Sequence, residues 1–116
     1  ALMPFAFHDA IDRIPTRTPP EETLRVFIEA MKKGDIDTAV KQFVEKDRGG
    51  WKKNLLDIQR RGMVQRMIED LSTAEKGWQG DSVAEYNYAG KNKGEDVGGF
   101  VNFQKDTNGD WKIKNL

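Results

Sequence analysis

Apolar side chains recur every three to four positions between Thr18 and Leu71, and at alternate positions beyond Ser72, so the chain reads as helices followed by strands. The strongest helical stretch is TPPEETLRVFIEAMKKGDIDTAVKQF, residues 18–43. Leu24, Phe27, Ile28 and Met31 fall on one face, with Glu22, Arg25, Glu29, Lys32 and Lys33 mostly opposite, so that face must be buried. Thr18 is expected to cap this helix, with Pro19 at its first position and Glu21 closing a capping box. Gly34 is expected to end it in the left-handed conformation. Asp35 then caps a second helix carrying Ile36, Ala39, Val40 and Phe43.

VEKDRGG, residues 44–50, reads as a charged turn into a third helical region from Trp51 to Leu71. Its stripes, Trp51–Leu55–Ile58 and Val64–Met67–Ile68–Leu71, flank Gly62. A glycine costs about 1 kcal/mol in a helix interior relative to alanine, so two shorter helices are expected there. Strands are expected over Thr73–Trp78, Ser82–Ala89, Val97–Lys105 and Asp110–Asn115, joined by QGD, GKNKGED and DTNGD. Connections this short imply antiparallel neighbours.

The last hairpin allows its register to be argued. A two-residue Asn108-Gly109 turn would set Lys105 opposite Lys112 and put Phe103 on the face of Lys112 and Lys114. A slip of one residue reverses the faces, so a three-residue loop, Thr107-Asn108-Gly109 with Gly109 left-handed, fits better. It pairs Phe103 with Ile113 and Lys105 with Trp111, and gives Val101, Phe103, Trp111 and Ile113 one core face.

With 116 residues, 37% of them hydrophobic, the chain suffices for one compact domain. Nineteen basic residues balance nineteen acidic ones, so no global field draws the chain to nucleic acid or an anionic membrane. There is no cysteine, which removes disulfides, thiolate metal sites and thiol nucleophiles. No apolar run approaches the roughly 20 residues needed to span a bilayer. Residues 1–17 form an arm or linker ahead of a domain over residues 18–116; a short helix from about Phe7 to Arg13 is expected within it. The arm is rich in apolar residues and proline, and it reads either as a loosely ordered terminus or as a lid or partner-binding segment.

Helices followed by a meander of strands imply an α+β layer fold, N-terminal helices packed on a curved antiparallel sheet of about four strands. Three stretches carry a family resemblance: the PEETLRVFIEAMKKGDIDTAVKQF opening, the Trp51–Leu71 helical region and the closing GGFVNFQKDTNGDWKIKNL hairpin. Together they resemble the nuclear-transport-factor-2-like superfamily, the cystatin-like α+β fold, and especially its small bacterial domains of unknown function. That resemblance implies a cone-shaped α+β roll, and its members are often extracytoplasmic, secreted or anchored. The superfamily holds isomerases, dehydratases, hydrolases, transport factors and non-catalytic domains, so fold does not name a reaction. Its isomerases use a tyrosine of the first helix with pocket aspartates, and the first helix here has no tyrosine. Its dehydratases use a histidine–aspartate pair, and the single histidine here, His8, lies in the arm. No catalytic residue is carried over.

The remaining inventory is a pocket set on the strands: Trp78, Glu85, Tyr86, Tyr88, Phe100 and Asn102, with Val101, Phe103, Asn87 and Gln104 beside them. Alternation prevents all of these from facing inward together. An ordinary packed core is the competing reading. His8 and Asp9 are adjacent but sit on a tail, a poor support for proton transfer. DTNGD lacks the acidic twelfth ligand of a calcium loop, so neither a metal nor another cofactor is expected. Lys41, Lys46, Arg48, Lys52, Lys53, Arg60, Arg61 and Arg66 make residues 41–66 locally basic; a solvated face is the default, an anionic partner the alternative. Two functions fit: a non-catalytic binding or interaction domain, pairing with a protein, a second copy or a small apolar ligand; or a cofactor-free pocket enzyme acting on a small apolar molecule. The second requires an inward carboxylate, with Glu85, Glu69 and Asp70 as candidates.

Overall fold

The computed structural model describes residues 11–92 and 95–116 of the chain. The expected Phe7–Arg13 helix, apart from its last three residues, and the His8–Asp9 pair lie outside them. Helices precede the sheet in the order α1 Pro20–Lys32, α2 Ile36–Val40, a single 3₁₀ turn Glu45–Asp47, α3 Arg48–Arg60 and α4 Val64–Leu71. Strands β1 Glu75–Gln79, β2 Val83–Asn92, β3 Glu95–Lys105 and β4 Trp111–Asn115 follow and form one antiparallel sheet, each beside its sequence neighbour. The α+β class and the order of its parts are those the periodicity predicts.

Local chemistry sets most of the boundaries. Gly34 and Gly62 have φ of 72° and 70° and terminate α1 and α3. The break at Gly62 therefore falls where the sequence places it. The Asp35 carboxylate accepts from the Thr38 N–H at 3.1 Å and caps α2. The start of α1 differs from expectation: Pro20 is its first residue and Pro19 its cap, with no side-chain cap bond. The Thr18 hydroxyl is spent elsewhere, donating to Asp110 Oδ1 at 2.9 Å. Gly49 and Gly50, read as part of a turn, lie in the first turn of α3, where a Cβ at either would meet nothing within 4 Å.

The core lies between the helices and one face of the sheet. Phe27, Ala39, Phe43, Leu55, Val101 and Ile113 are each 0% exposed. Phe43 is its hinge, edge-on to Phe27 with centroids 5.4 Å apart and stacked on Trp51 at 4.6 Å. Thr23, buried in α1, donates its hydroxyl to the Trp111 carbonyl and ties α1 to β4.

In the β3–β4 hairpin Phe103 pairs with Ile113 and Lys105 with Trp111. The Asp106 N–H donates to the Asp110 carbonyl at 2.8 Å, and Gly109 has φ of 84°, closing the three-residue loop. Val101, Phe103, Trp111 and Ile113 are all buried on one face. By contrast β2 and β3 outrun the expected strands, pairing as far as Asn92 with Glu95, through residues read as turn. Irregular registers between Lys76 and Trp78 and between Asn102 and Phe103 mark bulges, which bend strands.

From Asp12 onward the arm is docked on the hairpin. Lys105, 5% exposed, donates its ammonium to the carbonyls of Ile14 at 2.7 Å and Asp12 at 3.4 Å. The Trp111 indole N–H donates to the Thr16 hydroxyl at 3.0 Å, and the Arg17 N–H to the Gly109 carbonyl at 2.7 Å. Arg17 pairs in two-pronged fashion with Asp110. Further along, Trp111 N–H bonds the Thr18 carbonyl at 2.9 Å, Ile113 N–H the Gln42 carbonyl at 2.8 Å, and Val44 N–H the Ile113 carbonyl at 3.0 Å. The outer edge of β4 is thereby covered at Trp111 and Ile113.

Candidate functional site

The cross-strand pairs Ala84–Phe103, Tyr86–Val101 and Tyr88–Gly99 point to the helices, and Trp78–Glu85–Asn102 and Asn87–Phe100 point away. The six strand candidates are therefore divided by the sheet. Tyr86 and Tyr88 face the helical layer, whereas Trp78, Glu85, Phe100 and Asn102 face outward. Trp78 and Phe100 are 57% and 56% exposed. Trp78, Glu85 and Asn102 share a shallow outward hollow with Val83, Gln104 and Lys114.

Tyr86 is 3% exposed, stands edge-on to Phe103 at 5.2 Å, and its hydroxyl has no hydrogen-bond partner among the described residues. It borders an open cleft between α1 and α4, beside Leu24, Ile28 and Leu71.

Tyr88 belongs to a different and more apolar cleft of about 300 Å³. Trp51 and Ile58 of α3 form one wall, Met63, Met67 and Leu71 in and before α4 another, and Leu116 closes the end. Arg66 and Asp70 supply its charged groups. Two glycines shape the floor. A Cβ at Gly99 would overlap the Tyr88 ring and hydroxyl, so the tyrosine lies across its cross-strand partner, an aromatic covering a glycine. A Cβ at Gly90 would lie 2.8 to 2.9 Å from the Asp70 carboxylate, so that side chain reaches the sheet only because Gly90 has none. Thr73 secures the approach from α4 to β2: its hydroxyl accepts from the Ala89 N–H at 2.8 Å and lies 2.7 Å from the Asp70 carbonyl.

Of the three carboxylates considered for pocket chemistry, Asp70 is at this cleft; Glu85 is on the outward face, and Glu69 is exposed and accepts from Gln65 at 3.3 Å. The α3 and α4 walls were visible in the sequence only as core stripes. Leu116 carried no signal, because its place depends on where β4 ends. Among the described residues no group of three or more His, Cys, Asp or Glu side chains is arranged to hold a metal ion, and no helix is long and apolar enough to cross a membrane.

A more polar cleft of about 700 Å³ lies at the other end of the sheet, between the 3₁₀ turn, the start of α3 and the β3–β4 loop. Arg48 and Lys112 line it. Burial pushes the Lys112 ammonium below the usual lysine range. Comparison with protein-family models, curated proteins and solved structures gives no match to this chain.

Proposed function

We propose that the chain is a non-catalytic binding domain of nuclear-transport-factor-2-like type, whose cleft between α3, α4 and β2 receives a small, mostly apolar ligand. The observation that carries this reading is the convergence of Trp51, Ile58, Met63, Met67 and Leu116 on one hollow with few polar groups at its margin. Small-molecule sites have that composition: apolar walls and a few placed polar groups that fix orientation. Methionines suit such a wall, since an unbranched thioether adapts to more than one ligand shape.

Thermal unfolding in the presence of neutral naphthyl and alkyl probes tests it. A ligand at 100 times its Kd adds about 2.7 kcal/mol of stability. At least one probe is expected to raise the Tm, Met67→Glu to abolish that rise, and Phe100→Ser on the outward face to preserve it. No rise with any probe, or a rise that survives Met67→Glu, overturns the reading.

The seat of Asp70 over Gly90 favours a second reading, a cofactor-free enzyme with that carboxylate as proton acceptor. It demands turnover of a bound probe that Asp70→Asn removes while binding persists. For a macromolecular partner, the outward face suits a second copy: Trp78 and Phe100 are both more than half exposed on it, apolar surface that a two-fold contact covers on both molecules at once. Dimers in light scattering that Trp78→Glu dissociates support this contact; a monomer at high concentration excludes it.

A further inference from the structure

Arg48 and Lys112 converge on a single acceptor. The Arg48 Nη2 and the Lys112 ammonium each donate to the Lys41 carbonyl at 3.1 Å, which holds the two cations within about twice that distance of one another. The Arg48 Nε also donates to the Phe43 carbonyl at 3.0 Å. Among the described residues neither cation has a carboxylate in ion-pair contact.

The carboxylates near the pair are committed elsewhere or turned to solvent. Asp110 is held by Arg17 and Thr18. Asp106 Oδ1 accepts from the N–H groups of Asn108 at 2.9 Å and Asp110 at 3.0 Å. Glu45 is exposed. Two cations on one carbonyl at the end of α2 repel each other. Arg48 retains its other terminal nitrogen, and Lys112 two of its three ammonium hydrogens, for a further acceptor.

We propose that Arg48 and Lys112 form an oxyanion site in the cleft beside the β3–β4 loop, taking the phosphate of a small phosphorylated ligand. A tetrahedral dianion between them supplies the missing counter-charge and accepts from the donors that Lys41 leaves unused. The position differs from the apolar cleft, so the two assignments stand or fall separately. Burial is the main cause of the lowered Lys112 value; Asp110 and Asp106 oppose it, and Arg48 and Arg17 add to it.

The test titrates the full chain with inorganic phosphate, followed by amide chemical shifts and by calorimetry at low and high sodium chloride. Saturable binding is expected, with shifts confined to residues 41–48 and 104–112, and with Lys112→Gln weakening it at least tenfold. Arg48→Gln is expected to do the same, but it also takes the Arg48 donor from the Phe43 carbonyl, so Lys112→Gln with an unchanged circular dichroism spectrum is decisive. Lys52→Gln on α3, whose lysine lies 3.7 Å from Asp37, serves as the control of equal charge change and keeps full affinity. No saturation, shifts spread over all basic residues, or equal weakening by Lys52→Gln overturns the proposal.

Discussion

The Arg17 guanidinium grips the Asp110 carboxylate with two nitrogens across 93 positions of sequence. The carboxylate side chain is 11% exposed, the guanidinium 65%. Hydrogen bonding from Arg17, reinforced by Thr18 and opposed by partial burial, holds the Asp110 carboxyl below the usual aspartate range.

A depressed native pKa fixes the sign of an acid effect. The stabilisation is fully present above the unfolded-state value, near pH 4, and is lost as pH falls through the lower native value. Asp110→Asn is therefore expected to destabilise the chain at neutral pH, by about 1 kcal/mol once the exposure of the Arg17 guanidinium is discounted. The difference from wild type narrows below pH 4. Urea midpoints measured from pH 7 to pH 2 check this, and a constant difference across that range refutes it.

Gly109 and Gly62 share a left-handed backbone but not their surroundings. A Cβ at Gly62 meets nothing within 4 Å, whereas at Gly109 it overlaps the Pro15 carbonyl. Gly62→Ala is expected to cost about 1 to 2 kcal/mol from backbone conformation alone. Gly109→Ala adds an expulsion of the arm to that cost. Chemical denaturation separates the two, and limited proteolysis within residues 11–17 reports the loosened arm in the second variant only.

Phe43 touches both Phe27 and Trp51 and has no exposed surface. Phe43→Ala removes the ring from between two helices and the sheet, and is expected to cost about 3 to 5 kcal/mol. Calorimetry or denaturant unfolding measures it. A loss below 1 kcal/mol would mean that α1 and α3 do not share this core.

Tyr86 offers the opposite sign. Its hydroxyl is buried without a partner among the described residues, and an unsatisfied buried polar group costs about 1 to 3 kcal/mol. Tyr86→Phe is expected to leave stability unchanged or raise it, with Tyr88→Phe as the comparison. A marked destabilisation by Tyr86→Phe shows that the hydroxyl is bonded in solution.

Sequence carried the local decisions well, because each had a local cause. The core faces of Phe103 and Ile113 demanded one hairpin register, Gly62 broke the long helical stretch, and Asp35 capped α2. What it missed depends on distant contacts. Thr18 fails to cap α1 because Asp110 claims its hydroxyl. The docking of the arm rests on Lys105, a lysine that alternation placed inward beside Trp111 and whose acceptors are backbone carbonyls that no pattern marks. For the pocket, alternation established that the strand candidates could not all face one way. It could not show that the apolar walls come from α3, α4 and the last residue, because helix stripes look alike whether they fill a core or border a cleft.

The covering of β4 by Thr18 and by residues 42–44 has a consequence for assembly. Among the described residues β1, interrupted by a bulge and bearing Glu75 and Lys76, has no strand on its outer side, and β3 runs past the end of β4 from Glu95 to Val101. A strand from another molecule therefore finds backbone to pair with at β1 and along the β3 overhang, and is kept from β4 where the chain's own residues 18 and 42–44 already bond it.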